Sequence, residues 1–272
     1  MRLITVLIAA SLFGGATEQP KSTTTPWTLT WSDDFNGADG SSPDAAKWVF
    51  DTGGRGWGNQ ELESYTSRPV NAKQLDGNLV ITALKEDFTG ADGIARNYTS
   101  ARMKTVGRFS QAYGRFEARM QLPLGKGIWP AFWMLGDNIA GDGWPKAGEI
   151  DIMENIGDGS VIYSTVHGPG YSGAKGISQK FPLPAGDAVN TGFHVYALEW
   201  APNDLKFFFD DKLIVERTPK DLPEGTAWVY DHPFFLLLNV AVGGAWPGNP
   251  DETTVFPQKM LVDYVRVYKR RQ

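Results

Sequence analysis

Residues 116–123 read FEARMQLP, and this stretch decides the fold class because apolar and polar residues alternate along it. The apolar positions would share one face of an extended strand and the polar positions the other. The apolar face comprises Phe116, Ala118, Met120 and Leu122. A helix, with its period of 3.6 residues, would scatter these positions around its axis. The stretch therefore predicts a half-buried β-strand.

Similar β-rich runs lie on both sides of this stretch. They are GNLVITALK (77–85), HVYALEW (194–200), LKFFFDDKLIVER (205–217), FFLLLNVAVGG (234–244) and MLVDYVRVYKR (260–270). The APND at 201–204 and the Asp210-Asp211 pair are typical of hairpin turns. A helix start is indicated at one place, Ser42 to Trp48, where a Ser cap precedes a proline. Many short strands with little helix signal predict a single β-sandwich or barrel.

The composition limits the classes of function. The chain has 272 residues, of which 42% are hydrophobic and 12% aromatic, and a formal net charge of −5. This hydrophobic share suits a packed core and excludes wholesale disorder. A mildly acidic chain argues against nucleic acid as the partner, because phosphate binding depends on dense lysine and arginine. Ten tryptophans suit either a large β-core or the stacking of flat, weakly polar ligands.

The N-terminus resembles a secretory signal. Arg2 supplies a positive charge, Leu3 to Phe13 form an apolar run, and Gly14-Gly15-Ala16 form a small-residue exit. We expect residues 1–16 to be a signal peptide, 17–26 a linker and 27–269 the folded domain. The mature protein would then be secreted or periplasmic, because no later stretch is long and apolar enough to cross a membrane. The chain contains no cysteine and hence no disulfide.

Residues 148–157, GEIDIMENIG, place three carboxylates at an unusual spacing. Glu149 and Asp151 would share one face of a strand, but Glu154 would point to the opposite face. One extra residue, inserted as a β-bulge at Met153, would turn Glu154 onto the same face as the other two. The two Glu Cα atoms would then lie about 13 Å apart, and side chains leaning together would approach the roughly 5 Å of a retaining glycosidase. A solvent-facing acidic stripe and a metal site are the alternatives that the spacing leaves open.

GEIDIMENIG also resembles the signature of glycoside hydrolase family 16 in its β-bulge form. The chain is similar to the bacterial laminarinase branch of that family from Trp27 to Lys269. The matching segments are residues 54–71, 100–123, 127–136, 194–200, 239–248 and 262–268. The resemblance implies an all-β jelly roll of two curved antiparallel sheets with a concave substrate cleft. It also implies that internal β-glycosidic bonds are cleaved with retention.

The resemblance assigns roles to individual residues. Glu149 matches the nucleophile, Glu154 the acid/base and Asp151 the assisting residue between them. The sugar-binding positions would be Asn59, Glu61, Arg102, Trp129, Trp133, Trp144, His167 and Trp246. We expect His167, whose strand would lie beside the catalytic one, to influence the protonation of the acid/base. Asp263 matches a family position that binds a structural calcium ion, although one carboxylate alone does not define such a site.

These observations predict a secreted, monomeric endo-β-1,3-glucanase that acts on laminarin-type polysaccharide. The chemistry would need no cofactor, and neither nucleic acid nor, after signal cleavage, a membrane would be a partner. The alternatives are an endo-1,3-1,4-β-glucanase and a β-glucan transglycosylase of the same family. A non-enzymatic glucan-binding protein is disfavoured because such proteins typically lack one or both catalytic glutamates, and this chain keeps all three acids.

Overall fold

The computed structural model describes residues 26–271, which form seventeen β-strands in two sheets. The strands are β1 Trp27–Asp33, β2 Val49–Asp51, β3 Glu63–Tyr65, β4 Ala72–Leu75, β5 Asn78–Thr89, β6 Ala95–Ser100, β7 Arg102–Lys104, β8 Gly114–Gln121, β9 Ile128–Gly136, β10 Glu149–Glu154, β11 Val161–His167, β12 Ile177–Pro182, β13 His194–Ala201, β14 Asp204–Phe209, β15 Lys212–Arg217, β16 Phe234–Val242 and β17 Gln258–Arg270. The all-β prediction is therefore confirmed. The predicted signal peptide, and all of the predicted linker except Pro26, lie outside the described residues.

The larger sheet has ten strands in the order β15-β14-β13-β8-β17-β5-β6-β3, with β1 beside β17 and β4 beside β5. Its pairings are antiparallel except for the short parallel pair β3–β6. The alternating stretch that begins at Phe116 lies in β8, near the middle of this sheet. Phe116, Ala118 and Met120 are fully buried there, as the alternation predicts.

The smaller sheet has seven antiparallel strands in the order β12-β11-β10-β9-β16-β7-β2. Its central strands are apolar, and all nine residues of β16 are buried. Because β16 pairs with both β9 and β7, it joins the strand that carries Trp133 to the strand that begins at Arg102. The acidic strand β10 lies on the other side of β9.

The hydrophobic core lies between the two sheets. Apolar side chains of β8 and β13 from the larger sheet form one continuous cluster with those of β9, β10 and β16 from the smaller sheet. Representative members, all at most 1% exposed, are Phe116, Leu198, Phe132, Ile150 and Leu236. Burial of these inner faces stabilises the sandwich. A second, smaller apolar cluster of Leu135, Phe235 and Leu237 lies outside this core.

The predicted hairpins are present where the sequence places them. The β13–β14 turn contains Asn203 with φ +59°, and the β14–β15 turn contains Asp210 and Asp211 with φ +45° and +61°. Asn and Asp tolerate this left-handed region better than most residues, because their short polar side chains bond locally to the backbone.

The predicted helix start at Ser42 is wrong, since the segment forms a turn. The capping group is Asp44, whose side chain accepts a hydrogen bond from the Ala46 N–H at 2.8 Å. The Asp44 carbonyl accepts from the Lys47 and Trp48 N–H groups, both at 2.9 Å. The chain then leaves the helical path because the Trp48 ring is buried and its indole N–H bonds to the Asp33 carboxylate at 2.8 Å.

Within residues 26–271 the helical content is small. The α-helix α1 spans Ile139–Asp142 in the β9–β10 connection, and two 3₁₀ helices span Gly173–Lys175 and Pro219–Asp221. None of the described helices has the length and apolar character needed to span a membrane.

Candidate active site

A β-bulge in β10 brings the three carboxylates to one cleft. Asp151 lies opposite Trp133 of β9, but the next paired residue is Met153, opposite Phe132, so Ile152 is skipped. The register against β11 shifts at the same place, between Asp151 and Glu154. The predicted bulge is confirmed, but the residue left unpaired against β9 is Ile152, the neighbour of Met153. The two residues of the bulge, Ile152 and Met153, are both buried, at 1% and 0% exposure.

The resulting cleft runs across the outer face of the smaller sheet. Its lining residues are Glu149, Asp151, Glu154, Trp57, Asn59, Glu61, Arg102, Trp129, Trp133, Trp144 and Asn239, with several small and apolar neighbours. Glu149, Asp151 and Glu154 all line it, although regular strand alternation would turn Glu154 to the opposite face. Because they line a cleft, the three acids are not a simple solvent-facing stripe. Carboxylates from one strand thus meet aromatic side chains from β9 and from loops.

Glu149 is held by two different partners. Its Oε2 accepts a hydrogen bond from the Trp144 indole N–H at 2.7 Å, and its Oε1 lies 3.8 Å from His167 Nε2. Burial, and next the charge of Asp151, raise the pKa of Glu149 to about 8. His167, the Trp144 hydrogen bond and Arg102 oppose this rise, since each favours the ionised form.

Asp151 is the most buried of the three acids, at 2% exposure. Burial raises the pKa of this carboxyl. Its Oδ2 lies 3.2 Å from His167 Nε2. His167 lies directly opposite Glu149 in the β10–β11 register, so it contacts Glu149 and Asp151. It also lowers the pKa of Glu154, which agrees with the predicted influence on the acid/base.

Glu154 has the environment that best retains a proton. It is 8% exposed, and its Oε1 accepts a hydrogen bond from the Trp129 indole N–H at 2.9 Å. Burial raises the pKa of Glu154 well above its ordinary value, and the charges of Asp151 and Glu149 raise it further. Crowding of like charges therefore favours one ionised and one protonated glutamate in the same cleft.

Three of the four predicted tryptophan platforms line the cleft with these acids, and the fourth, Trp246, lies beside it. Trp129 and Trp133 lie on the cleft face of β9, and Trp144 is half exposed beside Glu149. Trp246 lies next to the cleft wall, where it packs edge-on against Trp129 with ring centroids 5.5 Å apart. It also packs against Tyr163, the residue opposite Glu154 on β11, at 4.9 Å.

Asn59, Glu61 and Arg102 also lie in the cleft, but Arg102 is already engaged. Its Nε lies 3.0 Å from Asp51 Oδ2, and its guanidinium lies between two aromatic rings. The guanidinium carbon is 5.0 Å from the centroid of Trp57 and 4.8 Å from that of Trp133. Arg102 thus holds two platforms in place through cation–π contacts, in addition to any contact with a ligand.

Two of the polar and aromatic lining residues were not predicted from the sequence. Trp57 stands between glycines in GRGWGN and has φ +47°, a loop setting of the kind that singles out Trp144 and Trp246. Asn239 is buried at 6% exposure and accepts the Trp133 indole N–H at 2.7 Å. The glycines beside Trp57 could have indicated an exposed loop aromatic, as for Trp144 and Trp246. Asn239 lies inside an apolar strand, and nothing in its local sequence indicates a cleft position.

The predicted calcium ligand Asp263 lies away from the cleft, on β17. Its Oδ2 accepts a hydrogen bond from Arg119 Nη1 at 2.6 Å, so a guanidinium already neutralises the carboxylate. Among the described residues, the His, Asp and Glu side chains close enough to share a metal ion are Glu149, Asp151 and His167. The calcium prediction at Asp263 stays a prediction, and nothing in the chemistry below depends on it.

Comparisons with known proteins bear on the family of this chain. The family model described as Glycosyl hydrolases family 16 matches residues 60–266. A beta-glucanase of Rhodothermus marinus is 43% identical over 277 residues, covering 98% of this chain and 93% of that protein.

Two solved structures show the same fold. The laminarinase catalytic domain of Thermotoga maritima MSB8 is 48% identical with a TM-score of 0.86, covering 90% of this chain and 99% of that one. An endo-beta-1,3-glucanase from Pyrococcus furiosus is 47% identical, also with a TM-score of 0.86, covering 90% of this chain and 95% of that one. These matches confirm the predicted jelly roll.

Proposed function

Because the chain belongs to glycosyl hydrolases family 16, and is therefore a glycoside hydrolase, we propose that it is a retaining endo-β-1,3-glucanase of laminarin-type glucans. The observation that carries the proposal is the bulge in β10, which places Glu149, Asp151 and Glu154 in one aromatic-walled cleft. A retaining glycosidase needs two carboxyl groups on opposite sides of the same glycosidic bond.

The environments of the two glutamates support distinct roles. His167 and an indole N–H lower the pKa of both glutamates, and burial raises both. One neighbouring acid raises the pKa of Glu149 whereas two raise that of Glu154, so Glu149 ionises more readily and is assigned as the nucleophile, and Glu154 is assigned as the acid/base. Asp151 lies between them, and its close contact with His167 ties the histidine to this set.

The reaction follows as a double displacement. The ionised Glu149 attacks the anomeric carbon and forms a glycosyl ester while the glycosidic C–O bond breaks. Glu154 gives its proton to the leaving oxygen. Water then attacks the same carbon and loses a proton to Glu154, and the ester bond to Glu149 breaks. Both carboxyl groups regain their starting states, and two inversions give net retention.

The cleft walls support a neutral glucan as substrate. Sugar rings present apolar C–H faces, and Trp129, Trp133 and Trp144 supply aromatic surfaces around the acids. A β-1,3-linked chain is curved, so platforms on separate segments can follow its changing ring orientation. Asn59 and Glu61 supply polar groups for hydroxyls at the rim. Sulfate esters would demand paired cations, and Arg102 is already paired with Asp51.

A substrate panel tests the proposal. Purified protein is assayed on laminarin, lichenan, agarose and carrageenan, with product sizing and with NMR detection of the first anomer formed. We expect the highest kcat/KM on laminarin, internal cleavage, a β-anomer first product and negligible action on the galactans. Discrimination against lichenan should be on the order of tenfold, because it shares β-1,3 linkages at intervals.

The alternatives correspond to distinct outcomes of the same panel. A kcat/KM on lichenan equal to or above that on laminarin would support an endo-1,3-1,4-β-glucanase. Products longer than the starting oligosaccharide would indicate transglycosylation, in which a sugar hydroxyl replaces water in the second step. Binding without cleavage would support a glucan-binding protein. Export and a monomeric state are also proposed from the sequence, and N-terminal sequencing of the secreted protein and light scattering test them.

A further inference from the structure

A second pair of carboxylates, Glu61 and Glu63, lies at the rim of the cleft. Glu61 lines the cleft at 4% exposure, whereas Glu63, the first residue of β3, is completely buried behind it. The charge of Glu61 raises the pKa of Glu63, so the two carboxyl groups are close neighbours. Two ionised carboxylates side by side and out of water would repel strongly, so one of them must carry a proton.

The hydrogen bonds of Glu61 identify it as the ionised partner. Its Oε1 accepts from Asn59 Nδ2 at 3.1 Å, and its Oε2 accepts from the Tyr65 hydroxyl at 2.9 Å. The Tyr65 oxygen accepts in turn from Asn239 Nδ2 at 3.2 Å, and Asn239 Oδ1 accepts from the Trp133 indole N–H at 2.7 Å. Each donor in this chain points toward Glu61, which connects its carboxylate to an aromatic platform of the cleft.

The surroundings of Glu63 place the proton there. Its Oε2 accepts the Val242 backbone N–H at 2.7 Å, whereas its Oε1 is buried without a hydrogen-bond partner. A carboxylate oxygen left in this state is costly, but a protonated oxygen next to Glu61 has an acceptor at once. In agreement, burial raises the pKa of Glu63 well above its ordinary value, and the charge of Glu61 raises it further.

We propose that Glu63 is a positioning residue for substrate binding: its protonated Oε1 donates to Glu61 and holds Glu61 as an ionised acceptor facing the cleft. Glu61 can then accept hydrogen bonds from the hydroxyl groups of a neutral sugar. If Glu63 were ionised, charge repulsion would either move the Glu61 carboxylate or raise its pKa until Glu61 was protonated instead. The inference rests on the proposed function, because it takes Glu61 as a ligand of the glucan.

Two substitutions of similar size separate positioning from packing. Glu63→Gln keeps an N–H donor toward Glu61 and an oxygen acceptor toward the Val242 N–H. Glu63→Met fills the same space without either group. We expect KM for laminarin to stay within about threefold of wild type in Glu63→Gln and to rise about tenfold in Glu63→Met, with kcat little changed in both. Equal KM values in wild type and Glu63→Met, or a loss confined to kcat, would overturn the proposal.

An infrared measurement keeps the proposal testable if Glu63→Met does not fold. The difference spectrum of wild type minus Glu63→Gln near neutral pH should contain the C=O band of a protonated carboxylic acid. The proton on Glu154 is common to both proteins and cancels. A difference spectrum that shows only an ionised carboxylate would refute the proton on Glu63. Because this readout needs no substrate, it is independent of whether laminarin is the correct glucan.

Discussion

Two clusters of charged side chains lie on the two sheets, and they are built on opposite electrostatic principles. On β10 of the smaller sheet lie three neighbouring acids, Glu149, Asp151 and Glu154. The groups in contact with them are mainly indole N–H groups and His167. On β8 of the larger sheet, Arg115 is the centre of a network of opposite charges. Its Nε, Nη1 and Nη2 donate to Glu117 at 2.7 Å, Glu199 at 3.0 Å and Asp211 at 3.0 Å.

The pKa values separate the two clusters. In the cleft, burial and like charges raise the pKa values of Glu149 and Glu154, so the folded chain retains protons there. In the Arg115 network, burial lowers the arginine pKa, but the hydrogen bonds and charges of Glu117 and Glu199 outweigh it, so the pKa rises overall. The comparison teaches that crowded like charges raise one another's pKa values, as the proposed chemistry requires, whereas opposite charges around Arg115 stabilise the ionised forms. Substitutions in the two clusters should therefore change different observables.

The largest effect is expected from removing the nucleophile. Glu149→Ala should lower kcat on the order of 10⁴-fold or more, because no covalent intermediate can form. The fold should persist, since removing this carboxylate reduces the repulsion among the three neighbouring acids. External azide should restore turnover and give a glycosyl azide of inverted anomeric configuration. Azide rescue with a product of retained configuration would instead assign the nucleophile to Glu154.

A smaller loss is expected from removing the acid. Glu154→Gln should lower kcat on glucan about 10²- to 10⁴-fold, the contribution typical of a general acid–base group. An aryl glycoside with a good leaving group needs little protonation, so its first step should be far less affected and should show a burst of released phenol. An equal loss on both substrates would contradict the acid/base role.

The pH dependence of stability should differ between wild type and Glu149→Gln. The pKa of Glu149 is about 8 in the folded chain against an ordinary value of 4.5. Between these values the folded state binds a proton that the unfolded state has lost, so the stabilisation is complete below 4.5 and disappears as the pH approaches 8. Calorimetry at a series of pH values across this window should show the Tm of wild type falling more than that of Glu149→Gln. A constant difference between the two Tm values would contradict the raised pKa.

The smallest effect is expected in the Arg115 network. Glu199→Gln should leave kcat and KM for glucan unchanged and lower the stability by about 1 kcal/mol or less, because Glu199 is partly exposed. Thermal melts should show a Tm decrease of only a few degrees. A loss of activity without a change in Tm would contradict the conclusion that the Arg115 network contributes to stability and not to catalysis.

Much of this architecture could be predicted from local patterns. The alternation at Phe116 predicts β8, and the spacing of Glu149 and Glu154 predicts a bulge between them, because side chains alternate with a period of two along any strand. The helix expected at Ser42 failed for a non-local reason. A proline after a serine suits a helix start, but burial of Trp48 against Asp33 directs the chain elsewhere.

The sequence by itself predicted the fold class from its alternation, the family from its resemblance to known motifs, and the placing of three acids on one bulged strand from their spacing. The tertiary structure decided which groups surround those acids. Arg102 is committed to Asp51 and to two tryptophans, His167 lies against Glu149 and Asp151, and Glu63 lies buried behind Glu61. These contacts join strands that are far apart in the chain. Protonation depends on burial and on the nearest charges in space, and residue order alone specifies neither of these.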